Sequence, residues 1–437
     1  GFYLVWRLKI YPQSSGGGLG DNYPYLFMDI FKTPVETLLS FFQIVYRDLK
    51  FVLINMWTDR LLPDDWDFKR MIFWFSLVVG ILLIWIIQKL LFNEQQSSSY
   101  PITKDNTRVN LVLSLVIIIC GSFPVWSTLR EISGGKWSDR FVLPVMFGVT
   151  LLIATFLFAA IKEYRLRTAI LVLMTGLSIG YQIRLGNDFQ DDFSRQQQFY
   201  AQLKWRIPDL EPGTAVYSPG IPTTKEADYS YTMGINLLYS SDEVTSDFDY
   251  WFTGPRYVNP STLLADPNYI IKHELRIYKF EGTSSRILAI HYPSTGCLWV
   301  IDPYYSLLST GISDFPLYGQ LTNQALIIDN EEKVNGLSKI IDFDAQKNWC
   351  FYFQKGDLAQ SKGQYEKSIA YYEEAMSKGL IPYEAIEYLP FIKAYTHLGR
   401  IDDAVVLTQK SFNKSSLTKP VLCQYWNDRL SENASSI

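Results

Sequence analysis

Four long apolar stretches fall together between Met71 and Ile183, and from there the chain turns polar to its end. A fold built in water alternates apolar and polar positions along each element, so that one face is buried and the other solvated. Here the apolar runs form one block. That order constrains the chain to a membrane-embedded half followed by a water-soluble half. Residues 71–92 are an unbroken apolar run to Ile87, with Gln88 and Lys89 near the end. Residues 109–129 form a second span, whose last turn Pro124 bends. Residues 141–161 form a third and 168–183 a shorter fourth. Each approaches the ~20 residues that cross ~30 Å of hydrocarbon, the last at the short limit.

Upstream, residues 34–57 are apolar but carry Arg47, Asp48 and Lys50 at mid-length. Three charges at the centre of a spanning helix are costly, so an interfacial helix, or one packed against other membrane helices, is expected. The opening Gly1-Phe-Tyr-Leu-Val-Trp-Arg-Leu-Lys-Ile10 has no basic leader or cleavage site and reads as the tail of an element whose beginning lies elsewhere. The expected organisation is 1–70 as loop and interfacial helix, the tail of a truncated membrane region, then 71–185 as four transmembrane helices, 186–345 as a soluble module and 346–437 as helical repeats. The basic loop Lys162-Glu-Tyr-Arg-Leu-Arg167 should stay cytoplasmic. Everything after Ile183 is then extracytoplasmic, on a multi-pass protein of the plasma membrane.

Residues 186–206 have the apolar spacing of an amphipathic helix, through Phe189, Phe193, Phe199, Leu203 and Trp205, and Pro208-Asp-Leu-Glu-Pro-Gly213 ends it. Strands are expected at 214–218, 276–280, 286–292 and 298–301 from β-branched and aromatic content, with a helix at 229–239. From Asn348 the pattern becomes paired helices. Gly356, Gly363, Tyr365, Tyr372 and Ala375 fall at the small and aromatic positions of a tetratricopeptide repeat. Ala394, Tyr395, Gly399 and Ala404 recur in a second unit, close to the ~34-residue period. A helix at 420–430 would cover the open end. Fewer than three complete repeats do not stand alone, so the array must pack against the module before it. The fold class is therefore an α-helical polytopic membrane region, a small α/β or α+β soluble module, and an all-α tetratricopeptide-like repeat.

Chemistry is harder to find. A net charge of −4 lacks the basic face of a nucleic-acid binder. Cys120, Cys297, Cys350 and Cys423 make no CxxC or Cys/His pattern, so neither a zinc site nor a disulfide framework is indicated. His273, His291 and His397 have no partner spacing. Ser14-Ser-Gly-Gly-Gly-Leu-Gly20 lacks the Gly-Lys-Ser/Thr ending of a phosphate loop. Ser218-Pro-Gly220 is a turn, because the Gly-x-Ser-x-Gly frame of a nucleophile elbow is absent. Asn413-Lys-Ser415 and Asn433-Ala-Ser435 match glycosylation acceptors. No cofactor is evident. Asp64, Asp65 and Asp67 are the one dense acidic cluster outside the tail that could take a divalent cation, though such residues more often cap a helix start and face water. Asp188, Asp191 and Asp192 read as a solvated helix face.

The best candidate is Gly134-Gly-Lys-Trp-Ser-Asp-Arg-Phe-Val-Leu-Pro144, which runs from a loop into the third span. Lys136 and Arg140 would lie at headgroup level with Trp137 as anchor, and a cationic pair there suits a lipid phosphate. Asp139 would orient Arg140. The same residue types also flank spanning helices as ordinary anchors.

With this segment, the multispan region and the external domain, the chain resembles bacterial polytopic glycosyltransferases of the GT-C type. The resemblance implies a lipid-linked sugar donor, with Lys136, Asp139 and Arg140 as a polyprenyl-phosphate pocket. The acidic catalytic motif that marks the first external loop of that type has no counterpart here, so no catalytic residue carries over. Gln196-Gln-Gln-Phe-Tyr-Ala-Gln-Leu-Lys-Trp-Arg-Ile-Pro-Asp-Leu-Glu-Pro-Gly213 is similar to a segment of bacterial membrane proteins ending in tetratricopeptide repeats, and that likeness implies no activity. The alternative to a transferase is a membrane-anchored scaffold that binds a protein partner on its repeats.

Overall fold

The computed structural model describes residues 26, 29–58, 68–93, 104–132, 139–224, 226–240, 245–275, 277–330, 336–339, 341, 343 and 347–435. The chain divides into two compact units, and the boundary falls between Asp191 and Asp192.

In the first unit α1 (Pro34–Lys50) continues through a wide turn at Phe51–Asn55 into Met56–Thr58. Four helices follow: α2 (Met71–Asn93), α3 (Lys104–Trp126), α4 (Asp139–Ala160) and α5 (Tyr164–Arg206). All four contain windows long and apolar enough to cross a membrane. Their outward side chains are large and apolar, Trp74, Phe75, Leu143 and Phe147 among them. Such a surface is unfavourable in water and natural in hydrocarbon. Inside, the helices meet through small residues. A Cβ on Gly176 would lie 2.6 Å from Ile84 Cγ1 and 3.2 Å from the Gly80 carbonyl, and one on Gly180 would lie 3.4 Å from the Ser76 carbonyl. Ser76 and Gly80 thus face Gly176 and Gly180, a small-xxx-small seam on both α2 and α5. The buried hydroxyls of Ser76 and Ser114 return to the Phe73 and Leu111 carbonyls of their own helices, at 2.7 and 2.8 Å.

Helix α5 departs from the sequence expectation of a span ending at Ile183 and a separate helix from Gly186. It is one helix of 43 residues. At ~1.5 Å rise per residue it is ~65 Å long, about twice a bilayer core. Gly186 has nothing within 4 Å of where a Cβ would stand and does not interrupt it. A lone glycine weakens a helix by only ~1 kcal/mol, which the flanking turns override.

The second unit is built on a four-stranded sheet of order β3-β2-β6-β7. Here β2 is Thr214–Tyr217, β3 Tyr250–Thr253, β6 Ile287–His291 and β7 Trp299–Val300. Strand β2 is parallel to both β3 and β6, with Ala215 opposite Trp251 on one side and Ile287 on the other, and β7 is antiparallel to β6. Before the sheet, β1 (Asp209–Leu210) pairs with β8 (Ile327–Ile328). Helix α6 (Asp228–Tyr239) links β2 to β3, and α7 (Pro260–Ala265) with the hairpin β4 (Ile270–Leu275) and β5 (Tyr278–Thr283) leads back to β6. Both sheet faces are covered, so residues alternate between two cores. Val216, Leu288 and Ile290 join Phe199 and Leu203 of α5 and Ile235 of α6. Ala215, Tyr217, Ile287 and Ala289 join Phe315 and Tyr318 of α8 (Phe315–Leu321) and the helices that follow. Strands β3 and β4 are absent from the sequence reading, because Tyr-Trp-Phe-Thr and Ile-Ile-Lys-His-Glu-Leu are short and carry polar residues.

Two helical hairpins follow: α9 (Trp349–Ser361) with α10 (Tyr365–Ser377), then α11 (Leu389–His397) with α12 (Ile401–Lys414), and last α13 (Lys419–Ser435). Gly363 and Gly399 close α9 and α11 with φ of +75° and +72°, the left-handed turn that favours glycine. Gly356 is required for close approach, since a Cβ there would overlap the ring of Phe391. Ala375, Ala394 and Ala404 are completely buried, and Tyr372 packs on Phe391 with ring centres 4.9 Å apart. Tyr365 stacks on His397 at 4.3 Å, and Tyr395 is buried beside the first hairpin.

Candidate functional site

The hairpins are locked to the sheet module along one seam. Cys297, just before β7, and Cys350, in the first turn of α9, form a disulfide with Cα atoms 5.3 Å apart. This corrects the expectation from cysteine spacing. The pair is 53 residues apart and belongs to no short motif; only Cys120 and Cys423 are free thiols. Beside the disulfide, Glu387 is fully buried. Its Oε1 accepts the Cys297 amide at 2.9 Å, and its Oε2 accepts the Trp349 indole at 2.6 Å and the Tyr383 amide at 2.7 Å. Burial pushes its pKa up to about 7, against the lowering effect of those donors. Gly296, at φ +98°, lets the loop come this close: a Cβ there would lie 2.6 Å from Glu384 Cγ and 3.1 Å from Glu387 Oε1.

Deeper along the seam, Arg206 at the end of α5 forms a buried ion pair with Asp357 of α9, its exposure only 1%. Gln354 Nε2 donates to the Leu298 carbonyl at 2.6 Å and to Gln202 Oε1 at 3.2 Å, and that oxygen also accepts the Leu298 amide at 2.7 Å. At the outer edge Lys393 meets Asp302 at 2.6 Å and lies over the Tyr304 ring at 4.4 Å. Polar side chains of α5, the sheet loops and the hairpins are therefore interlocked.

At this seam lies a cavity of about 370 Å³. His291, Tyr292, Ser294 and Trp299 form one wall, Leu308–Ile312 another, and Glu384–Ile386 with Ser415, Leu417 and Thr418 the rest. Its size is at the low end of the ~300–1,000 Å³ of ligand pockets. Burial pushes the His291 pKa down to about 4, so the ring is neutral near pH 7. Both the sheet module and the hairpins contribute to this one space.

Parallel α/β sheets usually bind ligands elsewhere, at the carboxyl ends of strands where the connections diverge. Here that crevice lies between β2 and β6, and the protein's own helix closes it. Arg195 of α5 donates to the Pro222 carbonyl at 2.9 Å, Ser294 at 2.6 Å and Pro293 at 2.5 Å, and lies over the Tyr292 ring. Asp192 accepts the amide and hydroxyl of Thr224 at 2.8 and 3.1 Å. The expectation of a solvated Asp188/Asp191/Asp192 face is corrected for Asp192 alone, which is buried; Asp188 and Asp191 are on the solvated side, 39% and 59% exposed, where both pair with Arg70. No spacing rule reveals this, because the partners are distant in sequence.

Of the candidate lipid-phosphate residues, Arg140 alone has a described side chain. Lys136 and Trp137 lie outside the described residues, as do Asp64, Asp65 and Asp67. Asp139 opens α4 but its side chain is outside the description; Arg140 is exposed, its guanidinium 5.0 Å over the Phe141 ring. In the same unit Asp48 is buried to 1%, accepting the Trp126 indole at 2.9 Å and the Ile132 amide at 3.0 Å. Its helix is thus packed against other helices, one of the two arrangements expected. His273 stacks on Trp251 at 5.1 Å, and among the described residues no group of three or more His, Cys, Asp or Glu converges as a metal site. Compared with known proteins, this chain matches no family model, no curated protein and no solved structure.

Proposed function

We propose that the protein is a membrane-anchored recognition protein of the plasma membrane, with its polar unit outside the cytoplasm. In this reading tetratricopeptide-like hairpins and the α/β module together hold part of a partner protein. The observation that carries it is the cavity of about 370 Å³, whose walls come from both parts and whose seam is fixed by Cys297–Cys350 and Glu387. Disulfides persist in oxidising compartments, which supports the extracytoplasmic side and agrees with the basic 162–167 loop staying inside. Cys423 is an exposed free thiol and reports the side directly. Labelling by a membrane-impermeant thiol reagent in intact cells is the expected result; labelling only after lysis overturns the reading.

A lipid-linked sugar transferase remains the second proposal. It is favoured by Arg140, exposed at the start of α4, with Lys136 and Asp139 beside it in sequence. Its polyprenyl-phosphate pocket predicts that Arg140→Ala abolishes binding to phosphate-bearing vesicles in flotation while expression is kept. Unchanged flotation removes that pocket.

A further inference from the structure

The charge of the cavity is one-sided. Among the described residues that line it, Glu384 is the one carboxylate, and there is no Lys or Arg. His291 adds no charge near pH 7, since burial holds it neutral. Glu384 is also held in place. Its Oε1 accepts the Thr295 hydroxyl at 2.7 Å, its Cγ packs where Gly296 has no side chain, and the next two residues, Ala385 and Ile386, are buried. Three residues on, Glu387 pins the same stretch to the sheet loop. A carboxylate fixed by its surroundings needs little reorganisation to meet a cation, and an anion brought to it is repelled.

The rest of the lining is mostly apolar or hydroxylic. Leu308, Ile312, Ile386 and Leu417 supply aliphatic surface, and Leu417 is 56% exposed at the rim. Just before Glu384, Ile381 and Tyr383 are also exposed, at 66% and 49%. Trp299, 4% exposed, has a buried indole N–H with no acceptor among the described residues. Arg195 stands behind the wall formed by Tyr292, Pro293 and Ser294, and its guanidinium is already given to three carbonyls, those of Pro293 and Ser294 among them.

Resting on the recognition role proposed above, we infer that the cavity receives a lysine or arginine of a partner protein flanked by aliphatic residues. The cationic head meets Glu384, and the aliphatic neighbours lie against Leu308, Ile312, Ile386 and Leu417. A carboxyl terminus or an acidic segment is disfavoured by the same charge.

Peptide display on the full chain in detergent micelles tests this, with the wild type, Glu384→Gln and the cavity-filling Thr310→Trp panned in parallel. All three are first checked for equal thermal melts. The wild type should enrich peptides with Lys or Arg beside Leu, Ile or Val. A synthesised hit should lose about tenfold in affinity when its basic residue becomes Met, and about the same on Glu384→Gln, the size of a lost charge-assisted hydrogen bond. Enrichment that Thr310→Trp abolishes but that carries no basic residue, or survives Glu384→Gln unchanged, overturns the cationic ligand and leaves the recognition role standing. Enrichment no greater on the wild type than on Thr310→Trp overturns the recognition role itself.

Discussion

Trp349 donates its indole N–H to Glu387 at 2.6 Å, and the other oxygen of that carboxylate takes the amide of Cys297. Cys350, the neighbour of Trp349, is the disulfide partner of Cys297. One covalent bond and one buried carboxylate therefore cross the same seam within a few residues of each other. All the hydrogen-bond donors to Glu387 are neutral, so burial dominates and its pKa rises to about 7 from an ordinary 4.5.

This gives a pH dependence with two opposing parts. A raised carboxyl pKa means that the folded state holds the proton more tightly, so the stability linked to Glu387 falls as pH rises from about 4.5 to about 7. His291 is lowered to about 4 from an ordinary 6.5, so its contribution falls as pH drops through that range. Each is on the order of 3 kcal/mol. Glu387→Gln should lose stability on acidification, and His291→Gln should lose much less. His273 and His397, also lowered by burial, act alike in both variants. Denaturation of the two variants across pH 4–7 checks this; parallel profiles would refute it.

Reduction should weaken the polar unit. Closing a loop of 53 residues contributes up to about 4 kcal/mol in the chain-entropy account. We expect a loss of about 2–4 kcal/mol for the Cys297→Ser/Cys350→Ser double variant, whose melt should not respond to reductant. A wild-type melt that ignores reductant would show that the bond is not formed.

Removing one partner of Arg206–Asp357 should be severe. Asp357→Ala leaves a guanidinium with 1% exposure unpaired, an expected loss of about 3–5 kcal/mol. Arg206→Met with Asp357→Leu removes both charges and should cost less than Asp357→Ala alone. A double-mutant cycle by chemical denaturation measures the coupling; additive losses would mean that the two act independently.

Two glycines of α5 should behave oppositely. Gly176→Leu collides with Ile84 and the Gly80 carbonyl, and should destabilise the detergent-solubilised protein by about 1–3 kcal/mol. Gly186→Ala meets nothing within 4 Å and should stabilise it by about 0.5–1 kcal/mol. Thermal melts in one detergent separate the two.

The four membrane-length helices were legible because long apolar runs have few other uses, and the paired helices because Gly363 and Gly399 punctuate them. The helix at 228–239 and the strands at 214–217 and 287–291 followed from local pattern too. What was illegible is what joins distant segments. Cys297 meets Cys350, Arg206 meets Asp357 and Arg195 meets two loops through tertiary packing, which leaves no periodicity to read. The cavity lining comes from segments scattered between His291 and Thr418, and Glu384 carries no motif that sets it apart from any surface acid.

Arg195 and Asp192 bear on how the protein can be dissected. Hydropathy turns polar after Ile183 and the first strand begins at Asp209, so hydropathy alone allows a soluble version to start anywhere between. Starting after Asp192 removes the carboxylate that holds Thr224, and starting at Pro208 also strips Arg195, Phe199, Leu203 and Arg206, the helix that fills the crevice between β2 and β6. The workable cut lies upstream of Asp192, within a helix and short of any loop. The residues that continue the fourth membrane-length helix are, for the polar unit, its first structural element.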